Sequence, residues 1–222
     1  MLTKNEKYFS IIYFIILLAE LICGNNSELN TVHYFTKPAI LISLIIYFLS
    51  QNDNLNTKTK WLVLLALIFS LLGDILLMFV DKSANFFMSG LLSFLIAHIM
   101  YILVFLKTKK STKNTDTFIA VLLIYASVIF YFLKDGLGNL LIPVIIYMAT
   151  ILTMILTAFL RKSSVTKISF YLVFFGALFF VISDSILALN KFYKPLPFAG
   201  INIMITYALA QLLIVFGLKK QS

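Results

Sequence analysis

Two carboxylic acids lie inside stretches that are otherwise apolar enough for the hydrocarbon of a bilayer. Asp74 interrupts the run LLGDILLM, and Asp184 interrupts the run VISDSILA. An Asp near the middle of a membrane span costs about 2.5 to 3.5 kcal/mol on insertion scales, so each acid is expected to have a function. Paired carboxyl groups in a low dielectric suit acid/base chemistry, because the two do not both ionise. The alternative for each acid is a structural hydrogen bond between helices.

The composition indicates which elements must position these acids. Of the 222 residues, 61% are hydrophobic and 12% are charged, as in a polytopic membrane protein and not in a soluble domain. Apolar runs that are long enough to cross a bilayer alternate with polar connectors. They predict an all-α bundle of eight transmembrane helices, with residues 1–222 forming a single membrane domain. The predicted spans are 8–23, 33–50, 60–80, 86–106, 117–133, 139–160, 168–189 and 198–218.

The basic residues are divided unequally between the two sets of connectors. Eight spans place both termini on one side, and that side receives thirteen Lys and Arg residues: Lys4, Lys7, Lys58, Lys60, Lys107, Lys109, Lys110, Lys113, Arg161, Lys162, Lys167, Lys219 and Lys220. The other side receives five: Lys37, Lys82, Lys134, Lys191 and Lys194. By the positive-inside rule both termini are predicted to be cytoplasmic, in a bacterial cytoplasmic membrane. The net charge of +9 is then a topology signal, and nucleic acid is excluded as a partner.

The first span follows two lysines, as the apolar region of a signal peptide does. The sequence GNN after it is a poor cleavage site, so we expect residues 8–23 to be retained as a helix. Cys23 is the single cysteine, which excludes an internal disulfide. No Cys/His cluster has the spacing of a zinc site, and no metal is expected.

The helical rise predicts a common depth for the two aspartates. Asp74 lies 14 residues after the cytoplasmic start of its predicted span and Asp184 lies 16 after its own. Both therefore rise roughly 21 to 24 Å, into the outer half of the membrane. Glu20 comes within about one turn of that level, and Lys37 can reach down toward it. Three acids and a lysine are predicted to converge.

The two halves of the chain also correspond. Adding 110 to the residue number carries Asp74 onto Asp184 and Gly90 onto Gly200. Two parallel four-helix repeats, residues 1–110 and 111–222, would bring the equivalent acids together at the repeat interface. The alternative is a chance match between apolar helices that are separated by loops at similar intervals.

Span four carries a stripe of large side chains at helical spacing. Phe94, His98, Tyr101 and Phe105 fall at i, i+4, i+7 and i+11, which is one face of a helix. We expect His98 and Tyr101 to support the carboxylates or bind substrate, while packing alone is the alternative. Span eight adds three candidates of the same supporting kind: Asn202, Tyr207 and Gln211.

The ordered set of motifs resembles the lysoplasmalogenase family, the YhhN-type membrane proteins. In the first half the motifs are Lys37-Pro38, GDILLM from Gly73, and Gly90 with Phe94, His98 and Tyr101. In the second half they are SDSILA from Ser183, NKF from Asn190, Thr206-Tyr207 and QLL from Gln211. The resemblance implies hydrolysis of the vinyl ether bond of lysoplasmalogens, with a lysophospholipid from the bilayer as substrate. It also implies that Asp74 and Asp184 are the essential pair.

This chemistry suits the residues. A vinyl ether hydrolyses when an acid protonates its β-carbon and water captures the oxocarbenium ion, which requires one protonated and one ionised carboxyl group. No metal or organic cofactor is required. The alternative function is a proton-coupled transporter of a small or lipid-like solute, because acids and a histidine also form proton relays. Against it, Pro38 and Pro143 lie near span ends, and there is no matched pair of broken helices. A third alternative, a lipid-binding scaffold, would leave the buried acids without a role.

Overall fold

The computed structural model describes residues 3–51, 55–110 and 114–221, and helices are the only regular secondary structure in this part of the chain. Its eight α-helices are α1 Lys4–Cys23, α2 Asn30–Ser50, α3 Thr57–Leu77, α4 Ala84–Leu106, α5 Thr115–Leu133, α6 Leu141–Phe159, α7 Lys167–Phe192 and α8 Ala199–Lys219. The prediction of an all-α chain with eight helices is confirmed. Lys113, one of the residues in the topology argument, lies outside the described residues.

Seven helices of the described part, α2 to α8, are long and apolar enough to cross a membrane. The chain is therefore a multi-pass integral membrane protein. The first helix is not among the seven, because Lys4, Glu6 and Lys7 crowd its first turns and Glu20 lies near its end. The predicted span 8–23 is helical, but it is preceded by a further charged turn.

Several helices begin where a side chain can satisfy the first backbone N–H groups. Thr3 caps α1 in a capping box: its hydroxyl accepts from the Glu6 amide, and the Glu6 carboxylate accepts from the Thr3 amide. Asn56 caps α3 and Thr166 caps α7 through their side-chain oxygens. These polar residues set the starts of the helices more sharply than the hydropathy does.

The C-terminal ends of two helices differ from the prediction by three residues. The seventh helix runs to Phe192, three residues beyond the predicted end at 189, so the prediction that Lys191 lies in a connector was wrong. The Asn190 side chain accepts from the Leu196 amide at 2.9 Å, which ties the connector to this added turn. The third helix ends at Leu77 instead of residue 80, because residues 78–82 form turns.

The chain divides into two compact units, Met1–Ala97 and His98–Ser222. In the first unit, α2 packs against both α1 and α3. A Cβ atom added to Gly73 would lie 2.6 Å from Cε2 of Phe94, so only glycine lets the α3 backbone approach that ring. The correspondence of residues 1–110 with 111–222 stays a prediction.

In the second unit, α7 packs along α8 and also contacts α5 and α6. Small residues again allow the approach. A Cβ atom at Gly176 would lie 2.7 Å from Cγ1 of Ile214, and one at Gly217 would lie 2.6 Å from Cγ2 of Val173. Close packing of these helices fixes the rotation of α7 and therefore the direction in which Asp184 points.

Candidate functional site

Asp184 lies at the centre of a polar cluster in the second unit. The Tyr147 hydroxyl donates a hydrogen bond of 2.5 Å to its Oδ2 atom. Nε2 of His98 lies 3.8 Å from the same oxygen. The side chain of Asp184 is 13% exposed, whereas that of His98 is completely buried. Three different helices, α4, α6 and α7, thus bring an imidazole, a phenol and a carboxyl group together.

Aromatic rings enclose the imidazole of His98. The ring of Phe180 meets it edge to face with centroids 4.8 Å apart, and the ring of Tyr147 does so at 5.4 Å. Within the described residues, neither ring nitrogen of His98 has a hydrogen-bond partner. The fold therefore holds this histidine beside a carboxylate without engaging its nitrogens in a structural hydrogen bond.

A second tyrosine reaches the neighbourhood of Asp184 from α5. The hydroxyl oxygens of Tyr125 and Ser185 are 2.6 Å apart. Ser185 also donates to the Val181 carbonyl at 2.7 Å, and it has one hydroxyl proton, so Tyr125 is the donor of this pair. Because Ser185 directly follows Asp184, this contact braces the helical turn that carries the acid.

Behind Phe180 lies a second buried polar pair. The Tyr101 hydroxyl donates to Oε1 of Gln211 at 2.6 Å, and both side chains are fully buried. The ring of Tyr207 packs edge to face on Phe180 at 5.5 Å. The structure thus places Tyr101, Tyr207 and Gln211 in the interior, in a layer that supports the ring against His98. The side chain of Asn202, by contrast, is exposed near the start of α8.

Asp74 occupies the first unit, on α3, and is only 3% exposed. Ser70 lies one turn earlier on the same helical face and is also buried. Gly73, the residue before the acid, packs against the Phe94 ring. The burial of Asp74 shows that protein encloses the acid within the first unit.

Glu20 belongs to a cluster within the first unit, at the junction of α1 and α2. Its Oε1 atom lies 3.0 Å from Nδ1 of His33, and Oε2 accepts from the Thr36 hydroxyl at 2.7 Å. Lys37 follows His33 by one turn and is half-buried. The observed partners of Glu20 are thus residues of the neighbouring helix, which the connector of residues 24–29 folds back onto α1.

Sequence reasoning missed Tyr147, Tyr125 and His33 as site residues. Tyr147 and Tyr125 are flanked by apolar and small residues of α6 and α5, where a tyrosine is also an ordinary packing residue. His33 stands at the polar edge of a predicted span. Only the packing of these helices reveals which hydroxyl or imidazole meets an acid.

Comparison with known proteins relates most of the chain to one family. Residues 32–218 match the profile of the YhhN family. Human (Homo sapiens) lysoplasmalogenase TMEM86A is 31% identical over 159 residues, which are 70% of this chain and 64% of that protein. Lysoplasmalogenase TMEM86B of Sus scrofa is 30% identical over 149 residues, 67% of this chain and 59% of that protein. The lysoplasmalogenase of Mycobacterium bovis is 28% identical over 198 residues, 86% of this chain and 73% of that protein.

The aligned part thus spans about three fifths of the length of the two mammalian relatives. No solved structure matches the chain. The family profile, however, runs from the start of α2 to the end of α8 and includes both membrane aspartates and His98. On this ground the chain belongs to the YhhN family.

Proposed function

We propose that this protein hydrolyses the vinyl ether bond of a lysoplasmalogen-type lysolipid, releasing a fatty aldehyde and a glycerophospho head group. The observation that carries the proposal is the carboxyl group of Asp184, which a membrane helix presents to the Tyr147 hydroxyl and the His98 imidazole. Relatives named lysoplasmalogenase, at 28 to 31% identity, support this choice of substrate.

The reaction requires an acid and then a base. The acid protonates the β-carbon of the vinyl ether, whose π electrons form the new C–H bond and leave an oxocarbenium ion at the α-carbon. The base takes a proton from water as the water oxygen bonds to that carbon. The resulting hemiacetal loses the glycerol hydroxyl as its leaving group and becomes the aldehyde, so one water molecule is consumed.

Two carboxyl groups meet these needs in the proposal. Asp184 takes the role of base, because its Oδ2 atom already acts as an acceptor, from Tyr147. Asp74, buried on α3, takes the role of acid. His98 and Tyr147 position the reacting water and the carboxylate, and Tyr101, Tyr207 and Gln211 support them from behind. In the proposal, Glu20 and Lys37 lie on the side of the site that receives the lipid head group.

The depth of Asp184 agrees with this substrate. Since α7 ends at Phe192, the acid lies eight residues inside the helix end. That is roughly 12 Å along the helix. The ether linkage of a single-chain lipid lies just below its head group, so it can meet an acid at this level without leaving the membrane.

The direct test uses purified protein and three lysolipids that differ only at the sn-1 linkage: vinyl ether, saturated alkyl ether and ester. We expect aldehyde from the vinyl ether alone, because the saturated ether has no β-carbon that can be protonated. Fatty acid release from the ester, or no aldehyde from any substrate, would reject the proposal. In the second case, solute-dependent proton flux in proteoliposomes would favour the transporter instead.

The proposal includes an orientation in the membrane, with both termini in the cytoplasm of a bacterium. Thirteen of the basic residues then lie on the cytoplasmic side and five on the outer side. A reporter that works only in the cytoplasm should be active when it is fused after Ser222, and a reporter that works only in the periplasm should be inactive there. Activity of an exclusively periplasmic reporter at this position would reverse the orientation and move Asp184 to the inner half of the membrane.

His98→Gln is expected to reduce hydrolysis by roughly 10- to 100-fold while leaving it measurable, because the imidazole positions groups and does not itself protonate the lipid. It should also change the pH dependence of kcat/KM. Tyr101→Phe removes the bond to Gln211 behind the site but leaves the neighbours of Asp184 in place, so it should reduce hydrolysis less than His98→Gln does. Complete loss of activity in a folded His98→Gln protein would place His98 in the proton transfer.

A further inference from the structure

A buried arginine lies where α4, α6 and α8 end in the second unit. Arg161 is 0% exposed, and it follows the last residue of α6 by two positions. Its Nε donates to the Thr108 hydroxyl at 3.0 Å. One terminal nitrogen donates to the Ser169 hydroxyl at 3.2 Å and to Oε1 of Gln221 at 3.3 Å. The guanidinium carbon lies 5.5 Å from the centroid of the Phe105 ring.

All of these partners are neutral. In the described ranges, no carboxylate lies within salt-bridge distance of Arg161, and its second terminal nitrogen is buried without a hydrogen bond. Burial lowers the pKa of Arg161 to about 10, which still leaves the group charged at neutral pH. A buried charge without a counter-charge is costly, and proteins normally pair it.

The surrounding connectors increase the positive potential. The Lys110 amide donates to the Leu160 carbonyl at 2.8 Å, and the Thr166 hydroxyl donates to the Lys220 carbonyl at 2.6 Å. These bonds bring residues 107–110, 160–167 and 219–221 to one end of the unit. The three segments contain no acidic residue and several basic ones: Lys107, Lys109, Lys110, Lys162, Lys167, Lys219 and Lys220.

We propose that Arg161 is the centre of an anion site that binds a phosphate group, from either an anionic phospholipid head group or free phosphate. The two terminal nitrogens of a guanidinium form a planar fork that matches two phosphate oxygens. The longest of the three hydrogen bonds is the one to Gln221, whose half-buried side chain covers the fork and is displaced when the anion binds. Basic pockets between membrane helices are a known setting for anionic head groups. The site does not depend on the proposed hydrolase activity.

Thermal unfolding of the full chain in phosphatidylcholine vesicles, with or without phosphatidylglycerol, tests the proposal. Phosphatidylglycerol should raise Tm by roughly 5 to 10 °C when it exceeds its Kd about 100-fold. A parallel titration with inorganic phosphate in phosphatidylcholine, at constant ionic strength, identifies the source. A response to phosphate indicates the free ion, and a response to the lipid alone indicates the head group.

Gln221→Glu is the most discriminating variant, because it places a carboxylate beside the guanidinium group of Arg161. The protein then supplies the anion itself. The substitution should raise Tm in phosphatidylcholine and abolish the response to phosphatidylglycerol and to phosphate. Lys162→Gln changes the net charge by the same amount at an exposed neighbour and should keep the response. Arg161→Gln should lose the rise in Tm on addition of phosphatidylglycerol or phosphate. If this variant fails to fold, the result with Gln221→Glu tests the proposal. An unresponsive wild type, or equal loss of response in Lys162→Gln, would overturn the proposal.

Discussion

Asp74→Asn and Asp184→Asn should each reduce aldehyde release from a vinyl ether lysolipid to near the uncatalysed background. In the proposed mechanism, protonation of the β-carbon and activation of water are coupled steps that require two differently ionised carboxyl groups. An amide has almost the same size as the acid and keeps some hydrogen bonding, but it can serve neither as the acid nor as the base. The double variant should be little worse than either single one, because residues that act as a unit are strongly non-additive.

The measurement must separate chemistry from assembly. A neutral amide is cheaper to place in hydrocarbon than a charged carboxylate, so both variants should reach the membrane in normal amounts. Asp81→Asn is a suitable control, since Asp81 is exposed in the turn after α3. Its activity should equal that of the wild type. We would abandon the paired-carboxylate mechanism if either single variant, at wild-type abundance, kept most of its activity.

Tyr147→Phe is expected to lower kcat by roughly 10- to 100-fold, since a small misplacement of a reacting group is enough for a loss of this size. The variant removes the hydroxyl that donates to Asp184 at 2.5 Å and leaves the ring that packs on His98. The carboxylate then loses the donor that holds it in the position in which, in the proposed mechanism, it receives the water proton. KM should change little, because the removed hydroxyl acts through the carboxylate.

Tyr125→Phe is the matched control for this effect. It also removes one tyrosine hydroxyl near the acid, but that hydroxyl donates to Ser185 and not to the carboxylate. For Tyr125→Phe we expect only a small change in kcat, well below that of Tyr147→Phe, and an unchanged pH dependence of kcat. If Tyr147→Phe and Tyr125→Phe behaved alike, Tyr147 would have only a packing role, and the direct bond to Asp184 would not matter for the rate.

The helices and their order could be predicted from local properties of the chain. Apolar runs in a bilayer must satisfy their backbone hydrogen bonds internally, so a run of suitable length is almost obliged to become a helix. Hydropathy is less informative at helix ends. In the sequence, the last turn of α7, with Asn190 and Lys191, has the composition of a polar connector. In the structure it is helical, and the Asn190 side chain ties the following connector back to it.

Some residues of the candidate site could likewise be predicted from the sequence, and others could not. Asp74, Asp184 and His98 stand out in the sequence because polar groups in membrane helices are expensive, and their cost makes them visible without a structure. Tyr147 has no such cost, since a phenol serves equally well as a packing group or as a donor. Its bond to Asp184 depends on how α6 is rotated against α7, which no local pattern encodes.

The sequence by itself thus determined the membrane class, the eight helices and the acids that most need an explanation. The tertiary structure decided which neighbours these acids have. Glu20 meets His33 and Thr36 because a short connector folds α2 onto α1. Arg161 is buried among neutral groups because two connectors and the end of α8 meet at one end of the second unit, although in the sequence it is one more basic connector residue. The physical reason is that burial cost is a property of a single residue, whereas pairing depends on distances between helices that are far apart in the chain.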